Sequence, residues 1–152
     1  MKKYSLFILI FFCLIVTGCT SKETKETKTL NDFEEICNNN EFTVNDNMLN
    51  YTDSEIKGAK IAKIDNEYIE MVIYDTAESA KKVQDKHIDS FMKIRNTMVT
   101  VDKKEGKNFY EFKMVSNGYY WVSTRIDNTL IFTKAPIDYK EKMDTIITGL
   151  GY

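Results

Sequence analysis

The chain has 152 residues, 43% of them hydrophobic and 29% charged, with a formal net charge of −2. That length suits one domain with a real core. The acidic balance argues against nucleic acid as a partner, and three cysteines are too few for a disulfide framework.

Lys2 and Lys3 precede an apolar run from Leu6 to Val16. The run is too short to span a bilayer, which takes about 20 apolar residues. Basic residues, a short apolar stretch and then small residues form the pattern of a signal peptide. Plain secretion after cleavage near Gly18 and an uncleaved anchor are the alternatives. The run ends in Val16-Thr17-Gly18-Cys19, which resembles the lipobox of bacterial lipoproteins. The resemblance implies cleavage between Gly18 and Cys19 and a diacylglyceryl group on the Cys19 sulfur. The protein is then expected at the extracytoplasmic face of the cell membrane, held there by its lipid. Two acyl chains suffice for stable anchoring, at about 0.8 kcal/mol per buried methylene.

Residues 20–30 repeat a Lys-Glu-Thr unit and carry almost no apolar content. Such a stretch buries too little surface to offset its ordering entropy. It is expected to be a flexible tether with a reach of about 35–40 Å. The chain thus divides into a signal peptide (1–18), a lipidated cysteine with its tether (19–30) and a single domain (31–152). Cys13 leaves with the signal and Cys19 is modified, so Cys37 is the one thiol of the domain.

Within the domain, Asn31 to Asn39 reads as a short helix with Phe33, Ile36 and Cys37 on one face. Phe42 to Asn45 reads as a short strand, and Asn45 to Ser54 as a loop. Ile56 to Ile64 and Glu67 to Tyr74 are strands joined by a turn at Asp65-Asn66. Thr76 to about Arg95 is the clearest helix, with Asp75 as its expected cap and Glu78 completing a capping box. Ala77, Ala80, Val83, Gln84, His87, Ile88, Phe91 and Ile94 form its apolar stripe. Lys81, Asp85, Asp89 and Lys93 form a solvated row of charges.

Four strands follow: Met98 to Asp102, Asn108 to Val115, Tyr119 to Ile126 and Thr129 to Lys134. Glu105-Gly106, Asn117-Gly118 and Asp127-Asn128 supply the turns between them. Pro136 is expected to open a last helix carrying Tyr139, Met143, Ile146, Ile147 and Leu150 on one face. Lys63-Ile64-Asp65-Asn66 echoes Arg125-Ile126-Asp127-Asn128, which suggests two ββα halves. The expected fold is α+β, a mostly antiparallel sheet with helices packed on one face.

His87 is the only histidine. A Cys37–His87 dyad would need the thiol beside its base, yet a cysteine on an apolar helix face behaves as a small hydrophobe. One histidine and one cysteine make no zinc site without carboxylates. Asn45-Asp46-Asn47 lacks the glycine and closing glutamate of a calcium loop. There is no phosphate loop and no nucleophile elbow. The expectation is no metal, no cofactor and no enzymatic chemistry. Tyr119 and Trp121 face the same way in one strand, and an exposed pair there could stack on a sugar, a peptide or a partner's apolar face. Core packing is the alternative, since aromatics favour strands.

The domain also resembles small lipoproteins of Gram-positive bacteria. The likeness rests on Asp32-Phe33-Glu34-Glu35-Ile36, Tyr74-Asp75, Ala80-Lys81-Lys82, Ile126 to Ile131 and the terminal Gly149-Leu150-Gly151-Tyr152. It brings no activity and no site residue. The expected role is a membrane-anchored interaction module for another envelope protein or a wall component. The alternative is a small-ligand or glycan-binding accessory or sensor domain.

Overall fold

The computed structural model describes residues 22–94 and 98–152. The expected signal peptide and the lipobox residues Val16, Thr17, Gly18 and Cys19 lie outside these. Among the described residues no helix is long and apolar enough to cross a membrane.

The protein is an α+β fold built on one antiparallel sheet. Its strands are β1 (Thr43–Asp46), β2 (Ile56–Ile64), β3 (Glu67–Tyr74), β4 (Thr100–Glu105), β5 (Phe109–Ser116), β6 (Tyr119–Ile126) and β7 (Thr129–Pro136). They lie in the order β1-β2-β3-β7-β6-β5-β4. All neighbours are consecutive in sequence except β3 and β7, which meet at the centre with Ile69 opposite Thr133 and Ile73 opposite Thr129. Asp65 and Asp127 both take positive φ, 54° and 47°, at the first residue of their two-residue turns. A short polar side chain tolerates that conformation. At Asn117-Gly118 both residues have positive φ, 55° and 77°, the pattern of a type I′ turn.

Three helices cover the sheet: α1 (Leu30–Asn39), α2 (Ala77–Ile94) and α3 (Lys140–Gly149). The sequence reading expected them packed on one face, but they lie on two. Phe33 and Cys37 of α1 and Met143 and Ile146 of α3 pack in one cluster with Val122 and Ile131 of the sheet. Phe91 of α2 packs on Phe112, Met114 and Trp121. Side chains alternate along a strand, so Val122 and Trp121 point to opposite faces and α2 stands alone on its own. The sheet is buried on both sides because both sets of its side chains are apolar at the centre.

Element ends differ from expectation in several places, most by one or two residues. Helix α1 starts at Leu30 because Thr29 caps it, accepting from the Asp32 amide at 3.2 Å while the Asp32 carboxylate accepts from the Thr29 amide at 2.7 Å. Helix α2 is capped by Thr76, whose hydroxyl accepts from the Ser79 amide at 3.1 Å. Asp75, the expected cap, instead pairs with Lys57 at 2.6 Å. Strand β4 runs to Glu105, and its Lys103 and Lys104 lie over the Phe112 and Phe109 rings at 5.5 and 5.4 Å. Pro136 ends β7, and one 3-10 turn (Ile137–Tyr139) precedes α3.

The expected tether departs most. Residues 22–29 have no regular structure, yet they are bound along one end of the sheet. The Lys107 amide donates to the Glu23 carbonyl at 2.8 Å. The Asn108 side chain accepts from the Lys25 amide at 3.0 Å and donates to the Lys25 carbonyl at 2.8 Å. The Lys25 ammonium reaches Glu111 at 2.6 Å, with both side chains largely buried (14% and 13% exposed), and stands 4.8 Å over the Phe109 ring. A Cβ on Gly106 would lie 2.0 Å from the Phe109 ring and 2.5 Å from the Glu23 carbonyl oxygen, so glycine is needed both by that ring and by the approach of this segment. Polar pairing holds the segment, which is why its lack of apolar residues did not free it.

Candidate functional site

Cys37 and His87 lie on opposite faces of the sheet, so they form no dyad in this fold. Cys37 is fully buried on the α1 side, where burial pushes its thiol up to about 12. His87 sits on the α2 side with its ring 4.5 Å from that of Phe132. Its Nδ1 lies 3.3 Å from the Ser123 hydroxyl, and burial pulls its pKa down to about 4. Asp46, in the faintly calcium-like stretch, accepts from the Met48 amide at 2.8 Å, just before a 3-10 turn (Met48–Asn50).

Tyr119 and Trp121 share the α2 face, as expected, and differ in burial. Tyr119 is 40% exposed. Trp121 is half-buried and packs on Phe91 with centroids 5.0 Å apart. Its Nε1 is buried and finds no acceptor among the described residues. The Lys134 ammonium stands over both rings, 5.0 Å from Tyr119 and 4.6 Å from Trp121, the geometry of a cation–π contact.

Three further apolar side chains, Ile94, Met98 and Ile137, lie at this end of the sheet, which the Asn117-Gly118 turn marks. Ile94 ends α2 and is tied there by the Asn117 side chain, which donates to its carbonyl at 3.0 Å. Ile137 is fixed by its amide, which donates to the Gly118 carbonyl at 2.9 Å. Met98 lies just before Thr100, which pairs with Val115. Ile94, Met98 and Ile137 are 42%, 83% and 39% exposed. Large apolar side chains exposed together mark an interaction surface more often than scattered ones do. The sequence reading identified the two aromatics and missed Lys134, Met98 and Ile137. Only the pairing of Tyr119 with Pro136 and of Trp121 with Lys134 brings these segments together.

At the opposite end, a cleft of about 600 Å³ opens between α2 and the β4–β5 turn, lined in part by Lys81, Gln84, Asp89, Glu105, Tyr110 and Arg125. Gln84 is buried and fully engaged. Its amide nitrogen donates to the Tyr110 and Ser123 carbonyls at 2.8 and 2.9 Å, and its oxygen accepts from the Arg125 Nε at 3.3 Å. Arg125 also donates to the Asp127 carbonyl at 3.1 Å. The guanidinium is thereby oriented, and among the described residues no carboxylate pairs with it directly, although Asp127 and Asp85 are near enough to favour its charge. The sequence contained no signal for this cleft, since its walls come from three separate segments.

No family model, no curated protein and no solved structure matches this chain.

Proposed function

We propose that the protein is a lipid-anchored extracytoplasmic lipoprotein that acts as a non-enzymatic interaction module. It meets another envelope protein or a wall component through the end of the sheet that carries Tyr119 and Trp121. The lipobox sequence supports the anchor. The exposure of Tyr119, Ile94, Met98 and Ile137 at the one end of the sheet that also holds the cation-capped tryptophan carries the interaction. Aromatic side chains beside a cation suit a partner with both apolar and polar groups.

The test is crosslinking in the cell with the intact protein, followed by mass spectrometry. Cys19→Ala and Tyr119→Ala with Met98→Ser serve as comparisons. A partner captured by the intact protein and lost with the surface pair supports the module. Hot-spot losses of about 2 kcal/mol correspond to about a 30-fold weaker complex. Equal capture by both forms removes this surface from the proposal. Radiolabelled palmitate entering the intact protein and absent from Cys19→Ala tests the anchor separately.

A second reading, a small-ligand domain, is favoured by one observation: the oriented Arg125 in its cleft. Ligand binding to the folded state raises the melting temperature. A screen of small carboxylates and glycan fragments in which none moves the melting temperature of the intact protein, or any shift persists in Arg125→Gln, dismisses it.

A further inference from the structure

The bound N-terminal segment and the exposed aromatic end lie at opposite ends of the same strands. Lys22 pairs with Glu105 at 3.6 Å and Glu23 with Lys104 at 3.0 Å. Thr27 donates to Asp127 at 3.2 Å. All of these partners lie in or beside the β4–β5 and β6–β7 turns. Strand β5 leads away from that end for eight residues, Phe109–Ser116, before it reaches the Asn117-Gly118 turn. At about 3.3 Å per residue the two ends stand about 26 Å apart. Cys19 precedes Lys22 by three residues, at most about 11 Å of chain.

We infer that residues 22–29 are a strap that stands the domain end-on at the membrane, with the β4–β5 turn toward the lipid and the Tyr119–Trp121 end directed outward. This inference rests on the lipid-anchor proposal above. A free tether of the same length would let the domain tumble and touch the bilayer with any surface. The strap removes that freedom at several points: the Lys107 amide, both polar groups of the Asn108 side chain, the buried Lys25–Glu111 pair and the Gly106 contact. Strap and aromatic end together restrict the partner. It is a soluble domain or wall polymer presented beyond the headgroups, and the bilayer itself is not the apolar end's ligand.

Trp121 is the only tryptophan of the chain, so it reports on its own end. The chain from Cys19 to Tyr152 is coupled through the Cys19 thiol to a maleimide phospholipid in vesicles whose headgroups carry nitroxide quenchers. Cys37 is buried and takes no part. Trp121 emission is expected to match that in unlabelled vesicles. In a Lys107→Trp, Trp121→Phe variant, the emission is expected to be largely lost. Equal quenching at both positions, or stronger quenching of Trp121, overturns the inference. Should the double variant fail to fold, the unsubstituted protein still decides through Trp121. Amide exchange adds a second measurement: slow exchange at Lys25 and Lys107 is expected, and rapid exchange at both overturns the strap. Because the lipid is attached chemically, failure of the lipobox proposal appears only as missing palmitate in the cell and leaves this outcome readable.

Discussion

His87 is wedged between Phe91 and Phe132 with the Ser123 hydroxyl beside it, and burial lowers its pKa from 6.5 to about 4. The unfolded chain therefore takes up a proton near pH 6.5 that the folded protein refuses until about pH 4. Stability is full above pH 6.5 and falls as the pH drops toward 4. The slope is at most about 1.4 kcal/mol per pH unit for one proton. With no second histidine in the chain, His87→Gln is expected to flatten urea stability between pH 6.5 and 4.5. An unchanged slope would place the proton elsewhere. Glu70 is different, because the residue is only 9% exposed and no cation pairs with its carboxylate among the described residues. The Asn47 amide and the Tyr51 hydroxyl, the latter at 2.7 Å, donate to it instead. A hydrogen bond to a charged group contributes about 1.5–3 kcal/mol, so Tyr51→Phe should lower the unfolding free energy by that amount. A loss under about 0.5 kcal/mol, the range of ordinary surface changes, would mean that water replaces the hydroxyl.

At the scale of elements, the strap rests on Asn108, which bonds both polar backbone groups of Lys25 and also the Asp127 carboxylate at 2.8 Å. Asn108→Ala should release residues 22–29 while the sheet stays folded. Trypsin is the direct probe, since Lys22, Lys25 and Lys28 all lie in the strap. Cleavage after Lys25 is expected to be slow in the unsubstituted protein and at least tenfold faster in Asn108→Ala, with the remaining domain resistant. Equal rates would show that the remaining contacts, the Lys25–Glu111 pair and the Lys107–Glu23 bond among them, hold the segment without Asn108. The strap also marks the limit of what the sequence disclosed. Hairpins were legible because their turns are local: Asp65-Asn66, Asn117-Gly118 and Asp127-Asn128 each fix two strands, and β6 falls on Tyr119 to Ile126 as read. Strap docking was not legible. It depends on a glycine at 106 and an asparagine at 108 meeting a carbonyl and an amide some 80 residues away, at Glu23 and Lys25. Thr29-Leu30-Asn31-Asp32 was a readable capping signal that the periodicity overshadowed. For the aromatic surface, alternation along β6 put Tyr119 and Trp121 on one face. Their unequal burial depends on Phe91, which no local pattern places over one ring and not over the other.

For the whole molecule, the placement of the helices decides how the core behaves. Each hairpin, β2–β3 and β6–β7, is followed by a helix, as the repeated Asp-Asn turns suggested. A two-fold axis exchanging the antiparallel neighbours β3 and β7 would run perpendicular to the sheet and leave its faces unchanged. It would put α2 and α3 on the same side. They lie on opposite sides, so the two units are not copies related by that axis, and the sheet is shared by two separate layers of packing. Phe91 anchors one layer and Ile146 the other. The layers touch only through strands whose side chains alternate between them, such as Trp121 and Val122 in β6. Phe91→Leu and Ile146→Val should each lower stability by about 1 kcal/mol. Because no side chain is shared, the double variant should lose the sum within about 0.5 kcal/mol. One urea transition with an unchanged slope is also expected, because removing either layer would expose an entire apolar sheet face and leave the other without a folded support. Two transitions in either single variant would mean that a layer unfolds alone. A double-variant loss far from the sum would mean that strain passes through the sheet from one face to the other.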